Sequence, residues 1–136
     1  MSHRLFTPSE ANALLPQLRE QLAKLRDTVN EIEKQQDELQ RVKSAHAVTP
    51  YNMLDNDPFF VMESRIDFMR MEAQLLIDNF ARSGVLLKMI DPGLLDFPAV
   101  IDGEDALICW KEGEESVTHY HGWHDGLAGR KRLPEQ

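Results

Sequence analysis

From Leu15 the apolar residues of this chain recur at alternating intervals of three and four: Leu15, Leu18, Leu22, Leu25, Val29, Ile32 and Leu39, with Gln36 the one polar member of the series. That is a heptad seam of period 3.5. Gln, Lys, Arg, Asp and Glu fill the positions between, so one narrow stripe is buried and the rest faces water. The spacing predicts a helix running to about Lys43, roughly 50 Å long at ~1.5 Å per residue. Thr7-Pro8-Ser9-Glu10 marks its start with a hydroxyl cap, proline in the first turn and a glutamate that can reach back to the cap amide. Phe6 stands where a hydrophobic staple would. Pro16 has no N–H for the Asn12 carbonyl, so a kink is expected there, or a short helix followed by a long one.

The pattern breaks over 44–57, where Pro50, Asn52, Asp55, Asn56 and Asp57 read as a loop. Asp57-Pro58 predicts a second helix start. Its seam is Met62, Ile66, Met69, Ala73, Leu76 and Phe80, flanked by Phe59, Val61, Phe68, Leu75 and Ile77. Ser83-Gly84 closes it. Two matched seams joined by one loop predict an antiparallel helical hairpin over 1–84.

Beyond Val85 the period changes to two. Leu86–Ile90, Phe97–Ile101, Ala106–Trp110 and Ser116–His121 read as strands. Pro98 implies an edge or a bulge in the second. Asp91-Pro92-Gly93 is a turn signal with glycine where φ is to be positive, and Asp102-Gly103 is a two-residue hairpin turn. Lys111–Glu114 links the last two strands; if those two residues pair, His121 faces Glu104. The expected fold class is α+β, a long antiparallel helical hairpin followed by a small antiparallel β-meander and C-terminal tail over 85–136, the whole 1–136 forming a single domain.

Composition narrows the function. Lys and Arg number 15 against 23 Asp and Glu, a net charge of −8, which argues against nucleic acid as a partner. Arg130-Lys131-Arg132 reads as a solvated tail. A single cysteine, Cys109, fits a reducing compartment. The first residues lack the apolar run of a signal peptide, and no stretch is long enough to span a membrane. The expectation is a cytoplasmic protein without a membrane association.

The chemistry gathers near the C-terminus. His119 and His121 would share one face of a strand, and His124 follows. Three imidazoles suffice for a divalent transition metal with an open position, and Cys109, Glu114 and Asp125 are candidates to complete the shell. Against that stand ordinary half-exposed strand histidines, since no spacing here is diagnostic. Cys109 lies between Ile108 and Trp110, where cysteine behaves as a small hydrophobe rather than a nucleophile. Gly126–Arg130 is either an anion cradle or a plain turn.

Taken together, Phe6–Leu18, Lys88, Gly93–Pro98, Cys109-Trp110, Gly113-Glu114, Tyr120-His121 and Gly126–Arg130 resemble, in order, the motifs of a bacterial family of unknown function, DUF2203. The resemblance implies a helical hairpin with a small β portion and no known activity. Of the histidines only His121 falls on its motifs, and Tyr120 stands where the family has tryptophan. Asp96, Glu114, His121 and Arg130 are thereby the candidates for a shared ligand-binding site. A purely structural role for them stays open, with Asp96 bracing a turn, Glu114 closing a hairpin and Arg130 pairing with either. The three-histidine metal set would be particular to this chain, and no cofactor is expected.

Two functions remain. One is an interaction or scaffold module that self-associates through its hairpin, as a coiled coil. The other is a small-molecule or metal-binding protein, with an enzyme among its forms, using the polar residues of the β portion. The second helix, roughly 39 Å, is shorter than the first. About two turns of the first seam are thus expected to lie bare, predicting a homodimer with Val29, Ile32 and Leu39 near or in the contact.

Overall fold

The computed structural model describes residues 4–46 and 59–134. Two helices, α1 (Pro8–His46) and α2 (Phe60–Arg82), precede five strands: β1 (Leu86–Met89), β2 (Leu94–Ile101), β3 (Glu104–Lys111), β4 (His119–His121) and β5 (Lys131–Arg132). The strands form one antiparallel sheet in the order β1-β2-β3-β4-β5. The fold is α+β, as the change of period predicts.

The capping box is present in both directions. The Glu10 amide donates to Thr7 Oγ1 at 3.1 Å, and the Thr7 amide donates to Glu10 Oε1 at 3.0 Å. Phe6 is buried beside it, its ring edge-on to Phe97 with centroids 5.2 Å apart. α1 is one helix from Pro8 to His46, with Pro16 inside it and no break. Pro16 is exposed, on the side of α1 away from the buried Leu15 and Leu18. Residues 44–46 continue α1; the rest of the expected loop and the Asp57-Pro58 start lie outside the described residues. α2 begins at Phe60, and its N-cap residue Phe59 makes no side-chain capping bond. Its end is as expected: Gly84 takes φ 82°, and the Val85 amide returns to the Phe80 carbonyl at 3.0 Å, a closure that favours glycine.

The bare stretch expected on α1 does not exist. α1 has 39 residues and α2 has 23, but the sheet covers what α2 cannot. Ala11, Leu15, Leu18, Leu22 and Leu25 are at most 2% exposed. Val29, Ile32 and Leu39 pack into the same core cluster as Ile66, Ala73 and Phe80 of α2, so they face inward. The exposed apolar face is on α2 instead. Phe60, Val61, Phe68, Met71 and Leu75, of which three had read as a flank of the inner seam, all stand in solvent.

The β2–β3 hairpin follows its sequence. Asp102 (φ 53°) and Gly103 (φ 80°) are the two turn residues, and Ile101 pairs with Glu104. Gly93 departs from expectation: it is not among the positive-φ residues. It is glycine for space, because a Cβ there would overlap the Leu22 side chain. Pro98 lies past the last β1 partner, Asp96, and its carbonyl accepts from the Phe6 amide at 2.8 Å. That stretch of β2 therefore has an edge without being an edge strand. The β3–β4 register also departs. His121 faces Leu107, not Glu104, and Cys109 faces His119. Lys111–Glu114 does turn, with the Glu114 amide on the Lys111 carbonyl at 3.0 Å. The chain then holds off from β3 while Val117 is buried and its amide reaches Asn12 Oδ1 at 2.8 Å. Lys131-Arg132, expected as tail, pair with Tyr120 and His119 as the outer strand.

Arg26 ties α1 to the sheet. Its guanidinium donates to both Glu112 oxygens, at 2.6 and 3.0 Å, and to the Ile90 carbonyl at 2.6 Å. Glu112 Oε1 also accepts the Gly93 amide at 2.9 Å. The Arg26 hydrogen bonds, then the Gly93 amide, hold the Glu112 carboxyl below the ordinary 4.5. A carboxyl lowered in the folded state stabilises above its unfolded value, and that stabilisation is lost as pH falls through the lowered one. Glu112→Gln is therefore expected to lower the urea midpoint at pH 7. The gap to wild type should close as pH falls below 4.5. A gap that stayed constant to acid would mean the Glu112 charge contributes nothing.

Candidate functional site

One face of the sheet packs on the helices through Leu95, Phe97, Ala99, Ile108 and Trp110. The alternation of strands then puts Asp96, Pro98, Leu107, Cys109 and His121 on the opposite face. These are buried too. Lys88, Met89 and Leu94 lie on one side of them, and Trp123, Asp125, Gly126 and Leu127 of the segment after β4 on the other. Together they line a pocket of about 300 Å³ that includes Asp96, Leu107, Cys109 and His121.

Three strands deliver the polar residues. Asp96 on β2 is registered opposite Cys109 on β3, and His121 is two residues beyond the partner of Cys109 on β4. Asp96 is 3% exposed, Cys109 2% and His121 6%. His121 Nε2 lies 3.2 Å from Asp96 Oδ1, and its Nδ1 lies 2.8 Å from the Gly122 carbonyl. A carbonyl only accepts, so Nδ1 carries a proton and the pair of interactions fixes the ring. Burial pushes the Cys109 thiol up to about 11, and the neighbouring Asp96 charge and hydrogen bond add to it. Left to itself Cys109 is a protonated thiol, which agrees with its reading as a hydrophobe and not a nucleophile. One ligand atom from each of Asp96, Cys109 and His121 lies within 4.8 Å of the others; among the described residues no other three His, Cys, Asp or Glu side chains make such a set.

The sequence candidates separate into two pairs. Asp96 and His121 meet in the pocket. Glu114 and Arg130 meet beside it: one guanidinium nitrogen of Arg130 lies 2.9 and 3.0 Å from the two Glu114 oxygens and 3.3 Å from the Cys109 carbonyl. Glu114 also accepts the Lys111 amide at 2.7 Å. Neither is among the pocket residues. The three histidines are not gathered. His119 bonds Thr118 Oγ1 at 2.8 Å and lies 3.9 Å from Glu114, while His124 is exposed in a turn. Gly126–Arg130 is a 3-10 turn in which the Gly129 and Arg130 amides bond the Gly126 and Leu127 carbonyls, so those amides are not free for an anion. Lys88, Leu107 and Trp123 are pocket residues that the sequence reading left unassigned. The hairpin turn held the signal for one pairing that matters, since a two-residue Asp102-Gly103 turn places Cys109 opposite Asp96.

A second hollow, of about 380 Å³, lies between the helices beside Lys43, Glu63, Asp67 and Arg70. Its charges are paired, Lys43 with Glu63 at 2.9 Å and Arg70 with Asp67 at 3.3 Å, and it gathers no converging donor set.

Fold and site define an α+β protein with a helical hairpin on one face of an antiparallel sheet and a small polar pocket on the other. The family model described as "Uncharacterized conserved protein (DUF2203)" matches residues 4–133, and the chain belongs to that family. Comparison with curated proteins and with solved structures returned no match. No helix among the described residues is long and apolar enough to cross a membrane.

Proposed function

We propose that this protein is an interaction module that pairs with a second copy of itself through the outer face of α2. One observation carries the reading. Phe60, Val61, Phe68, Met71 and Leu75 are 57 to 66% exposed. Val61, Phe68 and Leu75 stand seven residues apart with Met71 between, the spacing of a coiled-coil stripe. They lie on the far side of α2 from Ile66, Ala73 and Phe80, which are buried. Covering a large apolar side chain is worth roughly 1.5–3 kcal/mol, so five in water on one face favour a partner. The charges beside the stripe favour an antiparallel copy. With Phe68 near the two-fold axis, Val61 meets Leu75 and Arg65 of one copy lies across from Glu72 of the other. The acidic chain with one free cysteine suits the cytoplasm as the setting for this pairing.

Sedimentation equilibrium at micromolar concentration tests it. Wild type is expected at twice the 15.6 kDa chain mass, and Phe68→Glu at the monomer mass with an unchanged helical spectrum. A monomeric wild type, or a dimer indifferent to Phe68→Glu, would overturn the reading.

A further inference from the structure

We propose that Asp96, Cys109 and His121 form a site for a zinc-like transition-metal dication, with the remaining coordination position open to the pocket. It is independent of self-association, because the pocket lies on the face of the sheet turned away from the helices.

The donor set is one sulfur, one nitrogen and one oxygen, each from a different strand and each buried. A tetrahedral centre with bonds of ~2.0 Å to nitrogen and oxygen and ~2.3 Å to sulfur has ligand–ligand edges of roughly 3.3–3.6 Å. The Nε2–Oδ1 separation of 3.2 Å is already close to such an edge. All three residues offer a ligand atom within 4.8 Å of the others, and binding would draw the sulfur in to such an edge. The ring of His121 is held as metal-bound imidazoles are held, Nδ1–H on a backbone carbonyl and Nε2 turned inward.

Charge favours the same ion. A thiolate and a carboxylate neutralise a dication, which removes the main cost of placing it in a buried spot. The guanidinium closest to Cys109, that of Arg130, is engaged by Glu114 and a backbone carbonyl, so it does not supply that balance. When the metal binds, the Cys109 S–H bond breaks, a sulfur–metal bond forms, and the proton leaves to solvent; no electrons are transferred. Sulfur selects zinc or cobalt over magnesium, calcium or manganese. Three protein ligands with an open fourth position are the pattern of a metal that handles a ligand, whereas purely structural zinc is closed by four. The same pocket is lined by Lys88, Leu107 and Trp123, and leaves room for water or for the donor atom of a small molecule.

The test is cobalt and zinc titration of the untagged full chain after chelator treatment and dialysis. One cobalt per chain is expected, with a sulfur-to-cobalt charge-transfer band in the near ultraviolet, tetrahedral visible bands, and displacement by zinc. Cys109→Ser should lose the charge-transfer band. Asp96→Asn and His121→Gln should each weaken zinc by at least about 100-fold, more than loss of an outer partner typically does. The double variant His119→Ala, His124→Ala should bind as wild type does. Circular dichroism checks each variant's fold, and the wild-type spectrum stands as a test even if a variant fails to fold. Cobalt bound without the charge-transfer band, zinc affinity indifferent to Cys109→Ser, binding lost only in the His119/His124 variant, or no binding at micromolar metal would overturn the site.

Discussion

Trp110→Ala is expected to lower folding stability by about 3–5 kcal/mol, the range for removing a large buried aromatic, whereas Trp110→Phe should lose no more than about 1.5 kcal/mol. Trp110 is 2% exposed at the centre of the cluster that joins both helices to the sheet. Its indole Nε1–H donates to the Glu114 carbonyl at 2.8 Å, and the Arg19 guanidinium stands 5.5 Å from its ring centroid. Arg19 itself donates to the Glu114 and Glu115 carbonyls at 2.8 and 2.6 Å. Phenylalanine keeps most of the packing and leaves the Glu114 carbonyl still bonded to Arg19, so little is lost. Alanine removes the packing and the ring beneath Arg19 together, and loosens the segment between β3 and β4. Urea unfolding followed by circular dichroism decides it, since removing a tryptophan alters the fluorescence signal. An alanine variant no weaker than the phenylalanine variant would mean that Trp110 is not a central support of this core.

Local chemistry carried most of the fold, and tertiary context carried the departures from it. The α1 seam, the Thr7–Glu10 box, the Gly84 stop and the Asp102-Gly103 turn are each decided within a few residues by geometry that only those residue types satisfy. The β3–β4 register is not. It depends on Asn12 and Arg19, about a hundred positions away, capturing the Val117 amide and the Glu114 and Glu115 carbonyls. The outer strand β5 is two residues of lysine and arginine, indistinguishable in composition from a tail. For α2 the spacing picked out the inner seam of Ile66, Met69, Ala73, Leu76 and Phe80 that packs in the core but read Val61, Phe68 and Leu75 as its flank and not as a separate exposed face, and the mistaken contact on Val29, Ile32 and Leu39 followed from counting helix lengths without the sheet.

The pocket was half legible for a related reason. Residues 95–99 and 106–110 are buried without interruption, so the strands lose the alternation that tells an inner face from an outer one. Cys109 in an apolar run reads as filler until its register against Asp96 is known. Asp96 and His121, 25 residues apart, came forward together only through the family motifs, and those motifs equally marked Glu114 and Arg130. That second pair closes on itself beside the pocket. Its guanidinium also bonds the Cys109 carbonyl, so the four residues share one neighbourhood as two separate pairs.

Gly93→Ala is expected to cost about 1–3 kcal/mol, the range for overfilling a packed interior, and the cost should vanish in a Leu22→Ala background. Gly93 is buried where the turn after β1 meets α1, and a Cβ would occupy the space of the Leu22 side chain. Neither side can give way freely. Leu22 is 1% exposed, and the Gly93 backbone is held on both sides by Glu112, whose carboxylate accepts the Gly93 amide at 2.9 Å and whose amide donates to the Gly93 carbonyl at 2.8 Å. Leu22→Ala alone should cost about 2–5 kcal/mol through the cavity it leaves. Adding Gly93→Ala puts a methyl into that cavity, so the double variant should be no less stable than Leu22→Ala. The coupling, about 1–3 kcal/mol, is well above the ~0.5 kcal/mol within which independent sites add. Urea midpoints of the four proteins measure it. If the two costs simply add, Gly93 serves its backbone conformation rather than the space of Leu22, and the close approach of α1 to this turn is not what the glycine provides.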